Sequence, residues 1–276
     1  MEKRIWLITG ISSGLGKALA QSVMETGAFV IGTFRKESQV ATFNKNNPDS
    51  GFAFQLDVTN TAAITDLVSI IVSKFGKIDV LVNNAGVGFI GAVEESSMEE
   101  VRAVFEANFF GVLALTQQVL PVMRKQKKGH IVQISSHGGI KSFAGFGIYN
   151  ASKFALEGFS EALAQEVSPL GIKVSIIEPG PFRTNFAGEG LGQAKKRIDD
   201  YEDTAGSFRT KLKGVHGKQE GVPIKAAKAI LEVVNSENPS LRIPLRKIAL
   251  KTIRMKLESV AADLEANKKI ATTAVY

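Results

Sequence analysis

The stretch Ile5-Trp6-Leu7-Ile8-Thr9-Gly10-Ile11-Ser12-Ser13-Gly14-Leu15-Gly16 decides how the chain is read. An apolar run breaks into a glycine-rich turn, and mixed polar and apolar residues follow from Lys17 to Glu25. This order predicts a buried strand, a tight turn and then a helix. Glycine suits such a turn because the backbone must bend sharply and approach a ligand closely. The free N–H groups at the start of the helix then favour a phosphate. A second strand at 29–34 follows Gly27 and completes a βαβ unit. The spacing, Gly-x3-Gly-x-Gly, differs from the commonest dinucleotide fingerprint. Its position between strand and helix still predicts dinucleotide binding.

Working outward, strand-like runs recur at 5–9, 29–34, 52–56, 79–82, 131–135, 173–178 and 241–245. Helical patterns fill 15–26, 60–75, 97–124, 150–168, 223–236 and 246–266. Such alternation predicts an α/β fold: one doubly wound Rossmann-type domain over residues 1–276, its parallel sheet of about seven strands covered by helices on both faces. Residues 183–222 hold few large apolar side chains and predict a substrate loop or lid.

The chain has 276 residues, 44% of them hydrophobic, enough for one large core. It has no cysteine, which excludes disulfide and thiolate chemistry. His130, His137 and His216 lack ligand spacing, so no metal site is expected. Met1-Glu2-Lys3-Arg4 leads directly into a strand, and no unbroken apolar run reaches the roughly 18 residues of a membrane span. The expectation is a cytoplasmic protein without a span. Residues 1–194 balance at 17 basic and 17 acidic side chains, whereas 195–276 hold 17 basic and 10 acidic, so the whole net charge of +7 lies in the latter. Without interleaved aromatics, this basic segment does not predict nucleic-acid binding. From Arg246 to Lys256 the basic residues read as the solvated face of an amphipathic helix whose other face is Ile248, Ile253, Leu257 and Val260.

Chemistry concentrates in Ser136, Tyr149 and Lys153. Four residues make one helical turn, so Tyr149 and Lys153 share a face. A free phenol titrates near ~10, and a nearby ammonium brings it down toward working range. Ser136, if the fold brings it close, could hold a carbonyl against the tyrosine. Asn108 lies inside a helical pattern beside Phe109, Phe110 and Gly111, which predicts a local kink or a polar relay. Two readings stand for Asp57-Val58: Asp57 contacts an adenine, or it caps the helix from Asn60. Two also stand for Asn83-Asn84-Ala85-Gly86, a ligand-bordering turn or an ordinary one. The second strand ends Thr33-Phe34-Arg35-Lys36 with no acid before Glu37, which favours NADP(H) over NAD(H), Arg35 meeting the 2′-phosphate.

Taken together, Thr9-Gly10-x3-Gly14-x-Gly16, Asp57, Asn83-Asn84-Ala85-Gly86, Asn108, Ser136, Tyr149-x3-Lys153 and Pro179-Gly180-x3-Thr184 resemble the short-chain dehydrogenase/reductase family, over at least residues 4–184. Within it the chain looks most like members related to 17β-hydroxysteroid dehydrogenases. The resemblance implies an NAD(P)-dependent oxidoreductase acting on an alcohol or carbonyl. Tyr149 would exchange the proton, and Lys153 would lower its pKa and bind the nicotinamide ribose. Ser136 would polarise the substrate oxygen, and Asn108 would hold a water linking Lys153 to solvent. Cofactor contacts are expected from Gly10, Ser12, Ser13, Gly14, Leu15, Gly16, Arg35, Asp57, Val58, Asn84, Ala85, Gly86, Tyr149, Lys153, Pro179, Gly180, Phe182 and Thr184. The alternative, a non-catalytic NADP(H)-binding sensor or scaffold, predicts a damaged Ser/Tyr/Lys set, and here the set is intact.

Val87, Phe89, Phe143, Phe146, Phe182 and Phe186 follow strand ends that border such a cleft, or belong to the core. Lining a pocket, they imply a lipophilic small-molecule carbonyl or alcohol substrate. Helices 97–124 and 150–168 carry Phe105, Phe109, Phe154 and Phe159 on more than one side, which by resemblance implies a homodimer or homotetramer.

Overall fold

In β1 (Ile5–Ile8) every side chain is buried, because alternate residues feed two different cores. Ile5 and Leu7 join a core with Ile31, Leu81 and Ile131, while Trp6 and Ile8 join another with Val30, Val82 and Val132. Each fully buried aliphatic side chain stabilises the fold by about 1.5–3 kcal/mol. A strand buried on both sides is the mark of a sheet sandwiched by helices. The computed structural model describes residues 3–188, 190–215 and 217–274. His216 lies outside the described residues, as do Met1 and Glu2.

In chain order the elements are β1, α1 (Gly14–Glu25), β2 (Phe29–Phe34), α2 (Glu37–Asn46), β3 (Gly51–Gln55), α3 (Thr61–Phe75), β4 (Val80–Asn83), β5 (Gly88–Ile90), α4 (Met98–Phe105) and α5 (Gly111–Gln126). After them come β6 (Gly129–Ile134), α6 (Gly147–Val167), β7 (Ile172–Pro179), β8 (Leu191–Gln193), α7 (Ser207–Val215), α8 (Pro223–Asn235), β9 (Arg242–Leu245) and α9 (Lys247–Thr273). Seven strands form a parallel sheet in the order β3-β2-β1-β4-β6-β7-β9, with Leu7 in register with Ile31 on one side and Leu81 on the other. The order reverses at β1, so β1 and β4 are neighbours whose following loops open a crevice at the C-terminal sheet edge.

The expected doubly wound parallel sheet is the observed one. Several local readings differ. Helix α2 has no fully buried residue and packs only Val40 and Phe43 on the core, a short pattern that does not announce it. The segment 183–222 is not one open loop. It includes β8, which pairs with β5 in a small parallel sheet, and helix α7. Between α4 and α5 a π turn spans Glu106–Phe110 with Asn108 buried inside it, the kink its helical context predicted. The continuous helix Met98–Gln126 is long and apolar enough by composition to cross a membrane. Its Leu115, Val119 and Met123 are fully buried in the core beneath the sheet, which accounts for that character. Helix α9 runs past its predicted end, and Leu257 and Val260 stand exposed rather than packed.

Candidate active site

Helix α6 presents Tyr149 and Lys153 on one face, both buried. Ser136 sits just beyond β6, and its Oγ accepts the Gly138 N–H at 2.9 Å. A Cβ at Gly138 would lie 3.2 Å from Ser136 Oγ and 3.6 Å from Tyr149 Cε1, so both groups flank that glycine. The loop is pinned by Asn150, whose Nδ2 donates to Gly138 O at 2.7 Å and whose Oδ1 accepts the Phe143 N–H at 3.0 Å. Asn150 was missed in the sequence. Its only signal was a polar residue at a buried position next to Tyr149.

Lys153 Nζ donates to Ile134 O at 2.9 Å, across the end of β6. A Cβ on Gly86 would come 3.7 Å from this ammonium and 3.0 Å from Asn108 Oδ1, so lysine, asparagine and the turn after β4 converge. Asn108 Oδ1 accepts the Val87 N–H at 2.8 Å, while its Nδ2 donates to Val87 O at 2.9 Å and Ser152 Oγ at 3.0 Å. Ser152 in turn donates to Tyr149 O at 2.7 Å. The asparagine thus fastens the β4 exit to α6.

Burial sets the electrostatics. It pushes the Tyr149 phenol up to about 12, opposed by a hydrogen bond with the Ser136 hydroxyl. The expected lowering by Lys153 does not prevail, because the phenol lies under the rings of Phe146 and Phe186, with centroids 4.5 and 5.6 Å away. Burial also brings Lys153 down to about 8, with the Glu157 carboxylate working against it. Behind the lysine, Arg242 of β9 stands 3.4 Å from Glu157 and 3.5 Å from Glu178. Burial and repulsion from Glu157 push Glu178 up to about 7, against the pull of Arg242.

At the other end of the crevice, Gly10 and Gly14 adopt φ of +69° and +59°, where L side chains are strained. Asn84 Nδ2 donates to the carbonyls of Thr9 at 2.8 Å and Gly10 at 3.0 Å, which ties the β4 turn to the glycine turn. Ser13 precedes α1 without capping it by its side chain. Ser12 and Ser13 are exposed there. Gly14 faces Thr184, whose Cβ would be 3.2 Å from an added methyl.

The family model for the short chain dehydrogenases matches residues 4–193. This chain is a short-chain dehydrogenase. A 3-ketodihydrosphingosine reductase of Bacteroides thetaiotaomicron is 42% identical over 245 residues, covering 88% of this chain and 87% of the relative. Among solved structures, a short-chain dehydrogenase from Streptomyces avermitilis superposes with a TM-score of 0.93 at 39% identity, over the full length of both chains. A short-chain dehydrogenase/reductase from Burkholderia phymatum in complex with NAD reaches 0.84 at 25% identity, covering 95% of each chain. A serine dehydrogenase complexed with NADP+ reaches 0.76 at 26%, covering 87% of this chain and 94% of that one. The chain is therefore an oxidoreductase that uses a nicotinamide dinucleotide.

The crevice of this dehydrogenase fits such a group: a helix start with no side-chain cap and a glycine turn with no Cβ are what a pyrophosphate requires. Of the expected contacts, Gly10, Gly14, Gly16, Asn84, Ala85 and Thr184 meet around this turn. Leu15 occupies the first turn of α1. Asp57 Oδ1 accepts from Thr59 N at 3.0 Å and Thr59 Oγ1 at 2.9 Å, while Asn60 caps α3, so Asp57 does not cap that helix. Val58 O would lie 2.4 Å from a Cβ on Gly111, which places it against the start of α5. Pro179 ends β7, and Gly180 N–H bonds Leu245 O at 3.0 Å. Phe182 bridges to Gly221 and lines a groove with Val222, Ala226 and Ile248, apart from the Tyr149 rings. Phe143, Phe146 and Phe186 do gather at Tyr149, whereas Phe89 packs separately with Val104 and Ala194. His130 is a core residue hydrogen-bonded to Ser175 at 2.9 Å.

An alanine Cβ at position 16 would stand 2.3 Å from Asn84 Nδ2 and 2.5 Å from Gly10 O. Gly16→Ala is therefore expected to destabilise the protein by about 1–3 kcal/mol and to weaken dinucleotide binding. Thermal unfolding and a fluorescence titration with NADPH measure the two effects.

Proposed function

We propose that this dehydrogenase reduces a lipophilic ketone or aldehyde to the alcohol with NADPH. The observation that carries the reading is the enclosure of Tyr149. Its ring clusters with Ile90 and Phe146, and Phe143, Leu191, Phe208 and Leu212 pack around them. Apolar walls around one phenol and one serine hydroxyl suit a hydrophobic substrate with a single polar handle. The name of the Bacteroides relative, a reductase of a long-chain keto base, supports the same class.

Bound dinucleotide supplies the hydride, and the chain supplies the proton and the geometry. Ser136 Oγ accepts the Gly138 N–H, which orients its hydroxyl between Tyr149 and the place of the substrate oxygen. Tyr149, protonated throughout the neutral range, delivers its proton to the developing alkoxide. Lys153 holds a positive charge in the same pocket, favours the phenolate left behind, and is placed to bind the cofactor ribose. Asn108 positions the Gly86–Val87 turn beside it. Cofactor preference rests on the end of β2. Phe34 turns inward and meets Phe43 at 5.7 Å, so no carboxylate occupies that position, and Arg35 is exposed beyond it. No carboxylate among the described residues pairs with Arg35.

The test is a kcat/KM series for straight-chain ketones with NADPH and NADH. Values should rise with chain length and favour NADPH. A flat series would overturn the lipophilic pocket. Arg35→Asp should cut kcat/KM for NADPH by ~10-fold or more, in line with loss of a charged contact of about 1.5–3 kcal/mol, and spare NADH. Equal loss with both cofactors would remove Arg35 from the recognition of the 2′-phosphate.

Self-association through α4–α5 and α6 belongs to the same proposal. Phe110 and Phe154 are exposed there, beside Phe109 and Phe159.

A further inference from the structure

The segment 183–222 brings Phe186 and Phe208 to the rings around Tyr149, yet little apolar burial holds it in place. Among its described residues, the buried apolar side chains are those of Ala194 and Ala205. A charged pair takes that role. Glu95, in the turn after β5, and Arg209 of α7 meet at 2.9 Å, with side chains 2% and 10% exposed. Glu95 Oε2 accepts from Arg209 Nη2 and, at 2.8 Å, from the Ala92 N–H. Its Oε1 accepts the Ile198 N–H at 3.1 Å. One carboxylate therefore ties together its own turn, the stretch before α7 and α7 itself. Glu202 stands 3.8 Å from Arg209 Nη1 with its side chain exposed, a weak competitor. Glu94 accepts from the Tyr201 hydroxyl and Glu100 from the Lys195 N–H, but both contacts lie at the surface.

What the pair holds is Phe208, the neighbour of Arg209 in α7. Its ring stacks on Phe143 at 6.1 Å and meets Phe146 at 5.4 Å, and Phe146 lies 4.5 Å from Tyr149. Just before α7, Ala205 rests on Gly145, where an added Cβ would come 2.9 Å from Ala205 Cα. Replacing a buried ion pair by apolar side chains of similar volume is often neutral for stability, so stability alone does not account for this one. We propose that Glu95 and Arg209 are positioning residues for reduction: they set α7 so that Phe208 closes the apolar wall near Tyr149, and through it they govern the affinity for a long apolar chain. The substrate half of this inference rests on the lipophilic-carbonyl reading above. The hold on α7 does not.

The experiment joins steady-state kinetics on a series of methyl ketones, from acetone to long chains, with amide hydrogen exchange of the full chain in the presence of NADPH. Glu95→Gln keeps the shape of the side chain and removes its charge. It should raise KM for the long ketones by ~10-fold or more, the scale on which an apolar pocket discriminates, and leave kcat and the KM for acetone unchanged. Exchange over 198–212 should quicken while α6 stays protected. Arg209→Met leaves a buried carboxylate unpaired, which is costly to the fold. Glu95→Gln/Arg209→Met removes both charges and should raise KM no further than Glu95→Gln does, since the two act as one unit. An equal loss with every ketone would overturn the proposal and leave the pair a purely structural one. Additive losses in the double variant would overturn it too, as would unchanged exchange over 198–212. Quickened exchange in the variants beside a flat chain-length series in the unsubstituted protein would support the hold on α7 and remove the lipophilic substrate instead.

Discussion

Tyr149→Phe is expected to lower carbonyl reduction by ~10²–10⁴-fold, the range of a positioned acid, with NADPH still bound. The substitution is clean in this structure. The ring keeps its packing against Phe146 and Phe186, and what is lost is one hydroxyl beside Ser136. Burial raises the phenol to about 12, so its proton is present across the whole neutral range. That makes Tyr149 an acid ready to donate, and burial ensures that the developing phenolate depends on the local positive charge. Steady-state rates with a long-chain ketone, beside a fluorescence titration with NADPH, measure the two halves of the expectation. A Phe variant with full activity would remove Tyr149 from the reaction.

Lys153→Met should be as damaging, and its effect should divide between kcat and cofactor affinity. Removing the ammonium takes away the charge that favours the phenolate and the donor placed toward the cofactor ribose. It also leaves Ile134 O without its partner and Glu157 without the cation one turn away. The pH profile carries the sign. Burial brings Lys153 down to about 8, so its charge is present below that pH and lost above it. In the unsubstituted protein kcat/KM for reduction is expected to be level in the neutral range and to decline as pH rises through about 8. Lys153→Arg should extend the level region upward if the substituted chain still binds NADPH, because guanidinium keeps its charge there. A profile rising through pH 8 would contradict the assignment of the positive form.

Much of this architecture was legible because the signals were physical and local. The fully buried strand at Ile5–Ile8 and the glycine turn after it announced a sheet covered on both faces, and Asn108 in a helical context announced a kink or polar relay, which the structure realises as a π turn. Ser136, Tyr149 and Lys153 were separated in sequence, yet the register of β6 with β7 and the placement of α6 bring them to one crevice. Other features had no sequence signal of that kind. Helix α2 packs only Val40 and Phe43 against the core, too few apolar positions to announce a helical period. The pairing of Gly88–Ile90 with Leu191–Gln193 spans a long separation and is too short to read as strands. The rise in the Tyr149 pKa depends on Phe186, which reaches the phenol only once the segment after β7 has folded back. For α9, the amphipathic pattern was read correctly as a helix, but a pattern cannot say what lies against the apolar side. Leu257 was expected to face the protein and faces solvent.

The central claim is that an enclosed Tyr149, with Ser136 and Lys153, turns bound NADPH into a carbonyl reductant. It is tested most directly by following NADPH oxidation and alcohol formation together, with purified protein and a series of long-chain ketones and aldehydes. The predicted result is one alcohol formed per NADPH consumed, with turnover lost in Tyr149→Phe. Tight NADPH binding with no alcohol formed from any member of the series would contradict it.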